Sequence, residues 1–194
     1  MNSKNTSIII NGRGGQGAVT AANLLVKAAY NTGFPHVMAN PLFGPERRGA
    51  PVSAYARISK DDIYDRAKIY DADVVIVMDP SIFDVQNPVS MLKENGLLIV
   101  NTSESLEKFK KNKGISNGIQ VGVVDIVKIC LEIDLMIGGN TPVFNTPVLG
   151  AFCKLFEDIP LDEMIDVIKD NFPKASIGEL NANGAKLAYE RVQN

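Results

Sequence analysis

Two cysteines, one histidine and no CxxC spacing leave this chain little with which to hold a metal. Cys130 and Cys153 are too few thiolates for an ordinary four-cysteine iron–sulfur cluster. With His36 as the single histidine, a His-rich zinc site is excluded as well. Both cysteines sit in apolar, helix-like stretches and read as buried thiols, not as a disulfide or a reactive pair. An excess of either charge is missing too. Twenty Lys and Arg stand against 22 Asp and Glu, a net charge of −2, which points neither to nucleic acid nor to an anionic membrane. Three consecutive isoleucines at 8–10 are too few for a signal-peptide core, and no apolar run approaches membrane-spanning length. The expectation is a cytoplasmic protein of ordinary globular composition, 45% hydrophobic and 22% charged. At 194 residues it suits one domain, with an α/β core over about 1–125 and a helical part over 126–194.

The most informative stretch is 7–17. A short apolar strand, Ile8, Ile9 and Ile10, runs into Gly12, Arg13, Gly14, Gly15, Gln16 and Gly17, and a helical pattern follows over 18–30. Strand, glycine turn and helix aim backbone N–H groups and a helix N-terminus at an anion. Without Cβ atoms, Gly12 and Gly14 permit positive φ and close approach of a phosphate, while Gly17 permits tight packing of helix on strand. A turn that merely packs is the competing reading.

Gly12-x-Gly14-x-x-Gly17 matches the dinucleotide fingerprint, but that fingerprint calls for an acidic residue about 20 residues on, at the end of the second strand. The second strand is expected over 35–39, and Val37, Met38, Ala39 and Asn40 supply no carboxylate. Nor does a Gly-Lys-Ser/Thr sequence follow, so this is not a Walker loop. An ordinary NAD site is therefore disfavoured.

Downstream, 40–51 holds three prolines, two glycines and the charges Glu46, Arg47 and Arg48, a composition that forbids regular structure. A loop of this kind in a compact domain is more often functional than not. Arg47 and Arg48 read either as a phosphate clamp or as an interface or Glu46-paired element. Alternation over 52–58 predicts a half-buried strand at the sheet edge. A turn and a short extended piece follow at 61–64. Asp73-Val-Val-Ile-Val-Met-Asp79, with five consecutive apolar residues, is the clearest buried strand, closed by Asp79-Pro80. Asp79 and Ser81 thus lie beyond a strand's carboxyl end, where ligands of open α/β sheets gather, although Asp79 reads equally well as a turn or cap residue.

A helix is expected over 81–92, interrupted at Pro88, then strands over 96–101 and 119–124. Thr102 or Ser103 caps a helix over 104–113, and Asp125 caps one over 126–135. Gly138–Pro142 reads as a turn. Helices follow over 148–156, starting after Asn145-Thr146-Pro147, then over 162–171, and over 179–192 after Gly178. Helices alternating with valine-rich strands predict a three-layer α/β/α sandwich with a mostly parallel or mixed sheet and a helical C-terminal part.

Three segments together resemble one family. They are Gly12-Arg-Gly-Gly-Gln-Gly17, Phe43-Gly-Pro-Glu-Arg-Arg-Gly-Ala-Pro51 with its strand, and Asn145-Thr-Pro-Val-Leu-Gly-Ala151. The chain resembles the gamma subunit of 2-oxoacid:ferredoxin or flavodoxin oxidoreductases, the pyruvate type above all, over nearly its whole length.

The resemblance implies a multi-subunit enzyme that oxidatively decarboxylates a 2-oxoacid and transfers the acyl group to coenzyme A. Thiamine diphosphate, magnesium and [4Fe–4S] clusters then belong to partner alpha, beta and ferredoxin-like delta subunits, and ferredoxin or flavodoxin accepts the electrons. The gamma subunit helps bind coenzyme A and closes the active site. Coenzyme A carries a pyrophosphate and a ribose phosphate, which suit glycine-loop N–H groups and nearby arginines. The expected contacts are Gly12, Arg13, Gly14, Gly15, Gln16, Gly17, Arg47 and Arg48, with Arg13 the leading phosphate ligand. Two other functions stay open on the residues alone. One is a free-standing nucleotide-binding or regulatory module using the glycine loop. The other is an NADP-dependent dehydrogenase served by Arg47 and Arg48.

Overall fold

A computed structural model of the chain describes residues 5–41 and 48–194. Six strands form one mixed sheet: β1 (Asn5–Arg13), β2 (His36–Pro41), β3 (Pro51–Ser59), β4 (Ala72–Val77), β5 (Leu92–Asn101) and β6 (Gln120–Val124). Their spatial order is β2-β3-β1-β4-β5-β6. β1, β4, β5 and β6 run parallel, and β3 is antiparallel to both its neighbours. The predicted α/β class and mixed sheet are both present.

The two faces of the sheet follow from the strand period of two. Ile8, Ile10, Val74, Ile76, Leu97 and Ile99 enter one core. Ile9, Val75, Val77, Leu98 and Val100 enter the other. Strands buried on both faces need continuous apolar runs, which is why 74–77 and 97–100 contain nothing else.

The helical layers are unequal. On the first face lie α1 (Ala18–Asn31), α3 (Ile126–Glu132), α4 (Pro147–Leu155), α5 (Leu161–Asp170) and α6 (Ala175–Arg191). The second face has α2 (Leu106–Lys113), anchored by Phe109, and two short 3-10 turns, Pro80–Asp84 and Pro88–Met91. In α1, Ala18, Ala21, Ala22, Leu24, Leu25, Ala28 and Ala29 recur at the helical period and are all buried. Cys130 and Cys153 are buried in the first core, and burial pushes the Cys130 thiol up to about 11 and Cys153 further still. Among the described residues no helix is long and apolar enough to cross a membrane.

Several expectations are corrected. The strand at 51–59 is not an edge strand; β2 is the edge and β3 lies between it and β1. The helix expected over 81–92 is instead the pair of 3-10 turns, each begun by a proline after a capping Asp79 or Asn87. Pro88 cannot continue a helix through this stretch, because it lacks an N–H and its ring crowds the carbonyl four residues back. Ser105, not Thr102 or Ser103, caps α2 by accepting from the Lys108 N–H. Residues 61–64 join no strand, whereas the expected turn at 138–142 is present, within a small hairpin of β7 (Met136–Ile137) and β8 (Thr141–Pro142). The last helix starts at Ala175, and Gly178 lies inside it because a Cβ there would stand 2.8 Å from the Lys169 carbonyl oxygen. Asp125 caps α3 as expected, accepting from the Lys128 N–H.

α4 and α6 cross in near contact at Gly150, where a Cβ would lie 1.8 Å from the Ala185 carbonyl oxygen. Backbone cannot retreat as a flexible side chain can, so the helices themselves would have to separate. Gly150→Ala should therefore lower stability by about 3 kcal/mol, read as a fall in the urea midpoint at unchanged slope. An unchanged midpoint would mean that the crossing is looser than this.

Candidate functional site

β1 and β4 pair in parallel from Ile8–Val74 to Asn11–Val77, and the Met78 N–H extends the pairing to the Asn11 carbonyl at 2.8 Å. Beyond their carboxyl ends the chain diverges. From β1 it turns into α1 on one face; from β4 it enters the first 3-10 turn, which packs into the opposite core through Ile82. Such a switch point is where open α/β sheets form their crevice.

The glycine segment makes a tight turn here. The Gln16 N–H donates to the Arg13 carbonyl at 3.0 Å, and Gly15 takes φ +94°. That is the third position of a four-residue turn, which in a type II turn needs positive φ. Gly17 is left-handed at φ +83° and stands at the N-cap position of α1. Having no side chain, it leaves the first turn of α1 without a side-chain cap. The N–H groups of Ala18, Val19 and Thr20 precede the first helical bond, Ala21 N–H to the Gly17 carbonyl, so they have no acceptor within the helix.

Asp79 fastens this turn to the end of β4. Its Oδ2 accepts from Gln16 Nε2 at 2.8 Å and lies 3.5 Å from Arg13 Nε. Its Oδ1 accepts from the Ser81 N–H at 3.0 Å and from the Ser81 hydroxyl at 2.5 Å. Ser81 Oγ in turn accepts from Arg13 Nε at 2.8 Å. Gln16 closes the circuit, its Oε1 accepting from the Arg13 N–H at 2.7 Å. Burial pushes the Asp79 carboxyl up, but the Ser81 and Gln16 hydrogen bonds and the Arg13 charge outweigh it and hold the group below its ordinary value.

Residues 48–50 lie alongside. The Gly14 N–H donates to the Ala50 carbonyl at 2.8 Å and the Gly49 N–H to the Gly14 carbonyl at 3.0 Å, continuing the β1–β3 ladder past its last pair. Arg13 Nη1 donates to the Gly49 carbonyl at 3.0 Å. Arg48 is exposed, and its Cγ is 3.8 Å from where a Cβ on Gly15 would stand. From the opposite side the Asn145 side chain presses on Gly17. Asn145 is fixed there by the Thr146 N–H and by α4, whose start is tied to α6 through a buried Thr146–Asn181 hydrogen bond of 2.6 Å.

A model of the family described as pyruvate ferredoxin/flavodoxin oxidoreductase matches residues 7–191. The chain belongs to this family. It is 43% identical over 186 residues to the pyruvate/ketoisovalerate oxidoreductases common subunit gamma of Pyrococcus furiosus, covering 94% of each chain. It is 39% identical to pyruvate synthase subunit PorC of Methanothermobacter marburgensis, covering 96% of this chain and 97% of that one. The crystal structure of the pyruvate oxidoreductase subunit PORC of Thermotoga maritima superposes with a TM-score of 0.81 at 32% identity, covering 98% of both chains. This is thus a gamma-type subunit of a multi-subunit oxidoreductase.

Within this gamma-type subunit, Gly12, Arg13, Gly14, Gly15, Gln16, Gly17 and Arg48 converge on the switch point, while Arg47 lies outside the described residues. Their parts differ from those expected. Positive φ falls at Gly15 and Gly17, whereas Gly12 is the penultimate residue of β1 and a Cβ on it would meet Met78 Cε at 2.7 Å. Gln16 is spent on Arg13 and Asp79, and Arg13 directs three donors to Ser81 and Gly49. Asp79, Ser81 and Asn145 complete the arrangement. Asp79-Pro80-Ser81 after a buried strand signals the cap, but its reach across to Arg13 depends on strand order.

Gly17→Ala tests the turn directly. The new Cβ would stand 2.6 Å from Asn145 Nδ2 at a left-handed φ, so a loss of about 1–2 kcal/mol is expected in denaturant unfolding. Stability equal to the parent would show that the turn relaxes freely.

Proposed function

We propose that this chain is the gamma subunit of a 2-oxoacid:ferredoxin/flavodoxin oxidoreductase, with pyruvate as the leading substrate, and that it binds the phosphates of coenzyme A and helps close the active site. The observation that carries this reading is the uncapped N-terminus of α1 with Arg48 beside it. Three amides without helical acceptors, the positive end of a 14-residue helix and a guanidinium that has no ion-pair partner among the described residues suit a dianionic phosphate. Arg13, with three of its five N–H groups engaged within the protein, serves mainly to shape the turn and offers the remainder to the ligand.

Partner alpha, beta and ferredoxin-like delta subunits hold thiamine diphosphate with magnesium and the [4Fe–4S] clusters, which supply decarboxylation and electron transfer. Ferredoxin or flavodoxin takes the electrons from the assembled enzyme. Two buried cysteines at separate places in the helical layer suit this division of labour. The assembly works in the cytoplasm as a set of chains of which this one contributes a single domain, 1–194. A dinucleotide site fits less well, since β2 carries no carboxylate along His36–Pro41 and Asn40 is engaged with the Arg66 carbonyl at 3.1 Å.

The test is a coenzyme A titration of the co-expressed complex. Arg48→Ala removes a charge-assisted phosphate contact, so KM for coenzyme A should rise by about 10- to 100-fold. KM for the 2-oxoacid should stay put, and the isolated chain should turn nothing over. An unchanged KM for coenzyme A would overturn the assignment, and binding of NAD in preference to coenzyme A would favour a free-standing nucleotide module.

A further inference from the structure

We propose that Asp79 is the positioning residue of this site, holding Arg13 as a latch that keeps 48–50, and with it Arg48, against the glycine turn. The inference rests on the coenzyme A reading only for what Arg48 is held ready to bind.

The latch has two ends. At one, the Arg13 guanidinium reaches the Ser81 hydroxyl at 2.8 Å and the Ser81 carbonyl at 3.5 Å, with the Asp79 carboxylate 3.5 Å from Nε. At the other, Nη1 donates to the Gly49 carbonyl at 3.0 Å. A planar guanidinium spans both because its donors point apart in a fixed fork; a lysine ammonium, a single point, cannot.

Asp79 decides which way that fork faces. Its Oδ1 takes two hydrogen bonds from Ser81, which turns the Ser81 oxygen lone pairs toward Arg13 Nε. Its Oδ2 fixes the Gln16 amide so that the Gln16 oxygen faces the Arg13 N–H. A carboxylate is needed because both oxygens must accept at once. An asparagine would present an NH2 to either Gln16 Nε2 or Ser81, a donor facing a donor.

Among the described residues, two backbone hydrogen bonds, Gly14 N–H to Ala50 and Gly49 N–H to Gly14, hold 48–50 to the turn besides Arg13. Gly49 is exposed and has open space around its α-carbon, so packing adds little there. Without the latch those bonds open more often, and Arg48 loses its fixed place beside Gly15.

The experiment compares the parent complex with Asp79→Asn and with Arg13→Lys, following amide hydrogen exchange in peptides containing Gly14 and Gly49 and, in parallel, steady-state kinetics. Asp79→Asn should speed exchange at Gly14 and Gly49 by about tenfold, with core amides of β4 and β5 unchanged. KM for coenzyme A should rise while KM for the 2-oxoacid stays within about twofold, a split that general loss of structure would not give. Arg13→Lys keeps the charge next to Asp79 but not the fork. It should reproduce the faster exchange and answers the question if Asp79→Asn fails to assemble. Exchange at Gly14 and Gly49 equal to the parent in an assembled variant overturns the latch. Faster exchange with an unchanged KM for coenzyme A supports the latch and instead counts against the coenzyme A reading.

Discussion

Four parallel residue pairs between β1 and β4 bring two strands to their ends side by side, and the network of Arg13, Gln16, Asp79 and Ser81 grows from that juxtaposition. Arg13 closes one strand and Asp79 follows the other by two residues. Neither has its partner nearby in the chain, since 66 residues separate them. The buried runs of Ile8–Ile10 and Val74–Val77 fix the register because one slipped residue would exchange the two cores. The hydrophobic patterning of the sheet and the geometry of an ionic network at its rim are thus one constraint. The network in turn fastens the glycine turn to the end of β4, with two oxygens of one carboxylate engaging three side chains.

The helical layer matters to the site as well as to the core. α4 starts where Asn145 touches Gly17, and its position is set by a close crossing with α6 at Gly150 and by the buried Thr146–Asn181 bond. A shift in α6 would therefore reach the N-terminus of α1 through Asn145. The C-terminal third, which looks in the sequence like a cap added to an α/β core, shares one continuous apolar cluster with α1 and the sheet.

Much of this was legible in the residues. Unbroken apolar runs identified β4 and the buried half of β5, and the glycine turn announced the junction of β1 with α1. Asp125 was readable as a cap because its role is local. What the sequence concealed was whatever depends on strand order. Val52–Ile58 alternates like an edge strand, yet β3 sits between β2 and β1, its alternation reflecting partial cover on one side. Arg13 looks like a free cation in the chain, and only the neighbouring end of β4 shows that its donors are already directed inward. Gly12 and Gly14 looked like the flexible positions, whereas the turn places positive φ at Gly15 and Gly17. The family assignment was readable because it rests on three ordered segments, while the division of roles among the residues inside them is a matter of three-dimensional neighbours.

A gamma-type subunit of this shape carries, at the rim of its sheet, a helix end without a side-chain cap. The most direct measurement is the density of coenzyme A in the assembled oxidoreductase. A phosphate within hydrogen-bond reach of the Ala18, Val19 and Thr20 amides, with Arg48 turned onto it, is the predicted result. Coenzyme A held wholly by the partner subunits, with the first turn of α1 in contact with solvent or with protein alone, would contradict it.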